Sequence, residues 1–170
     1  MKKVLPAYML LFLAAATLLS CAPVISRDLM DTGIRNVTLS EVIQKPDLYR
    51  GKLFILGGVI VNTSVTPEGS LIEAYYVAVD SQGYLTGGAG ERYFAILPKN
   101  SGALNPQTYR NGKRITVAAE FVRVREDILN KSGHPDPFFE VRQIYLWEER
   151  PNDYRYPPGF YWRYGPTWWE

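Results

Sequence analysis

Few residues in this chain offer a start for catalytic chemistry. His134, within Gly133-His134-Pro135-Asp136-Pro137, is the single histidine, and Cys21 is the single cysteine. One imidazole and one thiol are too few ligands for a zinc site of the usual His/Cys type, and one thiol forms no intramolecular disulfide. A catalytic histidine needs an orienting carboxylate and an activated nucleophile. No Gly-x-Ser-x-Gly elbow is present to supply the latter, so His134 reads as a solvated loop residue. Gly87-Gly88-Ala89-Gly90 has no following Lys-Ser/Thr pair and no helix pattern behind it, which makes it a hairpin loop and not a phosphate cradle. Glu126-Asp127 and Glu148-Glu149 are neighbours in sequence, but acid/base dyads are defined by separation in space; they read as solvated strand ends. The expectation is a non-enzymatic protein with no catalytic residues, no metal site and no cofactor.

Cys21 carries a different chemistry. Met1-Lys2-Lys3 is a short positive start, Val4 to Leu19 an apolar run, and Ser20-Cys21-Ala22 a small-residue boundary, the order of a secretory signal peptide. The run is about 16 residues, short of the roughly 20 that cross a bilayer as a helix, and Pro6 interrupts it. Leu18-Leu19-Ser20-Cys21 resembles a bacterial lipobox, with Leu three residues before the cysteine and a small residue directly before it. Such a cysteine takes a diacylglycerol thioether, the leader is cut in front of it, and its new amine is acylated. Buried acyl chains contribute about 0.8 kcal/mol per methylene, and two or more hold stably. The sequence therefore predicts a lipid anchor at Cys21 and no spanning segment; the alternative is an ordinary cut after Ala22, since Ser20-Cys21-Ala22 also reads as small-x-small. In lipoprotein sorting, Asp after the cysteine retains a protein in the inner membrane; Ala22 stands here, which implies the outer membrane.

Charge and composition narrow the partners. Lys and Arg total 19 against 17 Asp and Glu. Without the leader's Lys2 and Lys3 the two signs balance, which argues against a strongly basic nucleic-acid binder. Apolar residues at 46% suffice for a packed core, and 170 residues fit one domain with appendages.

Residues 21–37 show no sustained period and read as a lipidated tether after the signal peptide of residues 1–20. Thr38-Leu39-Ser40-Glu41 is a capping-box pattern, predicting a short helix that buries Leu39, Val42 and Ile43 and stops before Pro46. Five strand-like runs follow: Leu53 to Asn62, Leu71 to Asp80, Arg92 to Leu97, Lys113 to Arg125 and Phe138 to Glu148. Gly57-Gly58 inside the first suggests a bend at which one strand serves two sheets. In the fourth, the apolar phase slips from Phe121 to Val122. In the fifth it slips from Val141 to Ile144, and both slips predict bulges. Ser101 to Gly112 leaves room for a helical turn or two. This order matches a small five-stranded OB-like barrel over residues 38–149, mostly β with a short N-terminal helix. Closure would also remove exposed strand edges. An open antiparallel sheet with a helix on one face is the competing architecture.

Residues 150–170 form an irregular, aromatic C-terminal extension, with Tyr154, Tyr156, Phe160, Tyr161, Trp162, Tyr164, Trp168 and Trp169 among four prolines. Prolines at this density forbid a regular helix. Three readings stand: packing on the barrel, lying in the membrane interface, or docking a partner. Tyr161, Trp162, Trp168 and Trp169 are the candidate contacts. Arg110, Lys113, Arg114, Arg123 and Arg125 with nearby tyrosines would form an electropositive aromatic face, of which Arg110, Arg123 and Arg125 are the candidate contacts. Its ligand would be an anionic glycan, lipopolysaccharide or peptide.

The chain resembles the Slp family of Gram-negative outer-membrane lipoproteins. The likeness lies in the lipobox at Cys21, in Lys45-Pro46-Asp47-Leu48-Tyr49-Arg50-Gly51-Lys52, and in Leu56-Gly57-Gly58-Val59-Ile60. Asn105-Pro106-Gln107-Thr108-Tyr109-Arg110, Val141-Arg142-Gln143-Ile144-Tyr145-Leu146-Trp147 and the aromatic, proline-bearing C-terminus extend it over nearly the whole mature chain. The resemblance implies an envelope lipoprotein linked to starvation or stationary-phase stress, with no enzymatic residues to transfer. The expected role is a binding or structural component, with the membrane as partner through the anchor and an envelope protein or glycan as the candidate second partner. An envelope enzyme acting on glycans or lipids and a surface-exposed adhesin-like module are the alternatives.

Overall fold

In the computed structural model, which describes residues 23–35, 37–125 and 135–148, Thr38 begins the first element of the predicted domain. Its hydroxyl accepts from the Glu41 backbone N–H, capping a helix over Leu39–Gln44. Leu39 and Val42 are buried, and Ile43 is only partly so. This is α2; α1 spans Arg27–Thr32 and α3 spans Pro46–Tyr49. Pro46 opens α3 at a position where a proline's missing N–H costs nothing. The Glu41 carboxylate accepts from the Tyr49 hydroxyl at 2.9 Å, tying α2 to α3.

The strands are β1 Leu53–Val65, β2 Gly69–Val77, β3 Arg92–Pro98, β4 Arg114–Arg125 and β5 Asp136–Leu146. They close into a barrel in the order β1-β2-β3-β5-β4, which excludes the open sheet. All five expected strands are present, and the fold is a small OB-like barrel. β1 pairs with β4 through residues 53–59 and with β2 through residues 57–65. Gly57 and Gly58 therefore sit where one strand is shared by two neighbours. A side chain at Gly58 would run into the Tyr93 hydroxyl, and one at Gly57 into the Val77 carbonyl. Close approach is what requires glycine there.

The two predicted bulges are present in the β4–β5 ladder. Its register shifts between Ala118 and Ala119, opposite Arg142, and again between Phe121 and Arg123. Each extra residue exchanges the inward and outward faces, as the phase slips at Val122 and after Val141 require. A third shift falls in β1 between Ile60 and Asn62. The connection from β3 to β4 holds less helix than expected. A 3₁₀ turn covers Lys99–Ser101, and a hydrogen-bonded turn brings the Thr108 and Tyr109 N–H groups to the Asn105 carbonyl.

The barrel interior is filled. Phe139 meets Phe54, Tyr93 and Phe121 edge-on, with ring centroids 5.5–6.0 Å apart, the favoured geometry for aromatic pairs. The Tyr93 hydroxyl is buried without a hydrogen-bond partner among the described residues. Desolvation pushes its pKa upward, so this phenol stays neutral.

The N-terminal stretch departs from its reading as a tether. Ile25 and Met30 are buried against Ile55, Val79 and Ala118 in a second apolar cluster. Ile34 pairs in parallel with Phe54. Residues 24–34 form a strap across the outer face of β1 and β4. Its helix is too short, at six residues, to print a period on the sequence.

Candidate functional site

Two clusters occupy opposite ends of the β4–β5 hairpin, separated by about 35 Å of strand contour. The first lies where the barrel closes. β3 and β5 meet in parallel over three residue pairs only, Phe94–Phe138 to Ile96–Glu140. Because Tyr93 and Phe139 point inward, alternation sends Arg92, Phe94 and Phe138 outward. Arg92 grips Asp136 through Nε at 3.2 Å and Nη2 at 2.6 Å, and reaches Glu73 on β2 at 3.2 Å. The Arg92 and Asp136 side chains are 22% and 7% exposed, so the fork works in a partly dry setting. The Asp136 bond holds the Arg92 guanidinium above its ordinary pKa.

Two further arginines stack beside this clamp. The Arg125 guanidinium lies 4.6 Å from the Phe94 ring centroid and 5.7 Å from that of Phe138, and Arg123 lies 5.4 Å from Phe138. Guanidinium groups resting on ring faces keep their N–H edges directed sideways, the geometry that recognises carboxylates and phosphates. Arg123 is exposed and Arg125 half-buried.

Of the predicted basic face, the structure brings Arg123 and Arg125 together but places Arg110, Lys113 and Arg114 at the far end of β4. The rings beneath the arginines are phenylalanines and not the expected tyrosines. Arg92, Glu73 and Asp136 were not legible as members: 44 residues separate Arg92 from Asp136, and only the parallel closure joins them. Cys21, His134, Glu126-Asp127, Glu149 and the candidate contacts Tyr161, Trp162, Trp168 and Trp169 lie outside the described residues.

The second cluster is aromatic. Trp147 follows β5; its ring packs 5.4 Å from Tyr84 and 5.0 Å from Tyr145. Its indole N–H donates to the Thr116 hydroxyl, which in turn donates to the Gly83 carbonyl. The loop carrying Tyr84 is shaped by Asp80, whose carboxylate accepts from the Gln82 and Tyr84 N–H groups.

Among the described residues, no three His, Cys, Asp or Glu side chains gather as a metal site would require, and no helix is long and apolar enough to cross a membrane. The family model described as the outer membrane lipoprotein Slp family matches residues 18–170. No curated protein matches the chain. A crystal structure from Leishmania major Friedlin, assigned as an aspartyl-tRNA synthetase, is similar at 15% identity with a TM-score of 0.38. The likeness covers 69% of this chain and only 23% of that one.

Proposed function

This chain belongs to the Slp family of outer membrane lipoproteins, and from that premise we propose a lipid-anchored, non-enzymatic binding component of the envelope. Cys21 carries the diacylglycerol and N-acyl chains. The barrel presents the arginine–phenylalanine seam to an anionic, carboxylate-bearing envelope glycan.

The observation that carries this reading is the stacking of Arg123 and Arg125 on Phe94 and Phe138. Ring faces hold the guanidiniums in place and lower the entropy lost when an anion binds. A non-enzymatic role is supported by where the carboxylates go: Asp136 to Arg92, Glu120 to Arg142, and Glu41 to Tyr49. Each of these carboxylates serves a structural bond. The expected stress connection is that the protein accumulates as carbon runs out, which is checked by following its level through entry into stationary phase.

The binding test uses the full lipidated chain in detergent micelles, titrated with soluble muropeptides as the anionic glycan probe. Saturable binding that weakens about tenfold or more in Arg123→Ala/Arg125→Ala is the expected result, since hydrogen bonds to charged groups contribute roughly 1.5–3 kcal/mol. Equal binding by the variant, or none by the native protein, refutes the assignment of this face.

A further inference from the structure

The strap and the aromatic cluster meet. The Val24 backbone N–H donates to the Gln82 carbonyl at 3.2 Å, and a side chain at Gly83 would lie 2.7 Å from the Val24 side chain. Gly83 is joined through Thr116 to Trp147. From Val24 the strap runs along the barrel past Gln143, which accepts from the Ser26 N–H, to Ile34 beside Phe54. The chain therefore enters the barrel at its aromatic end. Cys21 precedes Val24 by three residues, which span at most about 10 Å.

That end also presents the rings that the strap leaves uncovered. Gln143, Tyr145 and Trp147 alternate onto the outer face beside Ala118, Thr116 and Arg114. The strap covers Ala118 and Gln143; Tyr145 and Tyr84 remain 38% and 41% exposed. Trp and Tyr are the side chains that settle at headgroup depth, with apolar rings and polar tips.

We infer that the Tyr84–Tyr145–Trp147 cluster is a membrane-docking face: it seats the barrel on the headgroup region of the bilayer that holds the Cys21 acyl chains. This rests on Cys21 as the anchor. The short lead from lipid to strap confines the barrel near the surface, so docking loses little further translational freedom. Tyr145 and Tyr84 face the lipid, while Leu48, beside the other end of the barrel and 54% exposed, faces water.

The test places a nitroxide at position 145 or 84 (Tyr145→Cys, Tyr84→Cys) or at position 48 (Leu48→Cys) in the full lipidated chain. The acylated Cys21 sulfur takes no label. The protein is reconstituted into phosphatidylethanolamine/phosphatidylglycerol vesicles, and relaxation by molecular oxygen is compared with relaxation by an aqueous nickel chelate. Labels at 145 and 84 should lose severalfold in chelate access relative to position 48 and gain in oxygen access. Equal chelate access at all three positions overturns the docking face. The mass of the native N-terminal peptide separates the two failures. An acylated peptide with water-exposed labels sinks the orientation alone, whereas an unmodified thiol sinks the anchor and the docking face together.

Discussion

The two ends of the β4–β5 hairpin are stabilised by different physics. At the closure, a short parallel ladder of three residue pairs is bracketed by charge: Arg92 bridges Asp136 on β5 and Glu73 on β2, and arginines lie over phenylalanines. At the aromatic end there is, among the described residues, no strand closure to brace. A tryptophan, a threonine and a glycine carbonyl form a chain of hydrogen bonds that holds a loop and the strap against the sheet. In the proposed orientation the charged end faces away from the Cys21 anchor and the aromatic end toward it. The barrel thus keeps its two surface chemistries apart along a single hairpin, with the proposed ligand seam at one end and the proposed docking face at the other.

The largest expected effect tests the charged end. Asp136→Ala removes a nearly buried carboxylate and deprives Arg92, in a partly dry site, of its two-pronged partner, with Glu73 still beside it. Breaking such a pair costs about 3 kcal/mol, read as a lowered urea midpoint with an unchanged slope. A loss below about 1 kcal/mol, the net value of an ordinary hydrogen bond, would mean that the three backbone pairs close the barrel unaided, and the contrast between the ends would fail.

Gly83→Ala comes next, at the aromatic end. Gly83 has φ of +86°, and an added Cβ would press on Val24. The left-handed conformation costs a side-chain-bearing residue about 1–2 kcal/mol, and the crowding adds to it. The expected signature is local. Amides of residues 25–34 exchange faster while those of β3 and β5 keep their protection. Uniform loss of protection would instead make the strap an integral part of the barrel.

Trp147→Phe is milder. It removes the indole donor to Thr116 but keeps a ring against Tyr84 and Tyr145. The Thr116 hydroxyl still donates to Gly83, so the loss should be about 1 kcal/mol, measured by urea denaturation.

The hairpin itself was open to sequence reading in a way that its two ends were not. A bulge moves every later side chain to the opposite face, so Val122 and Ile144 betrayed their bulges through apolar phase alone. The capping box at Thr38 was equally local. The charged seam depends on a parallel pairing between residues 44 apart, and no local pattern encodes that. The strap has apolar residues at Val24, Ile25, Leu29 and Met30, but its one short helix gives no repeat to distinguish docking from a tether. Arg123 and Arg125 stand out in the sequence as part of a basic cluster; the phenylalanines beneath them follow only from the register of β3, β4 and β5.

The smallest effect probes the middle of the hairpin, which belongs to neither end. Arg142, at the bulge in β5, donates through Nε and Nη2 to both Glu120 oxygens at 2.9 Å, and reaches Glu140 at 3.3 Å. The fork geometry resembles that of Arg92, but these side chains are 46% and 35% exposed. Arg142 holds the Glu120 carboxyl below its ordinary 4.5. A pKa depressed by folding contributes stability that is present above the unfolded value and lost as pH falls from about 4.5 through the lower folded value. Water screens an exposed pair, so the contribution at neutral pH should be only about 0.2–1 kcal/mol. Glu120→Gln should therefore be slightly less stable than the native protein at pH 7, and the difference should vanish as the carboxylate is neutralised in acid. Urea titrations at both pH values decide it. If this exposed fork proves worth as much as the Asp136 fork, then burial is not what makes the charged end strong, and the difference between the two ends must be sought in the phenylalanine stack instead.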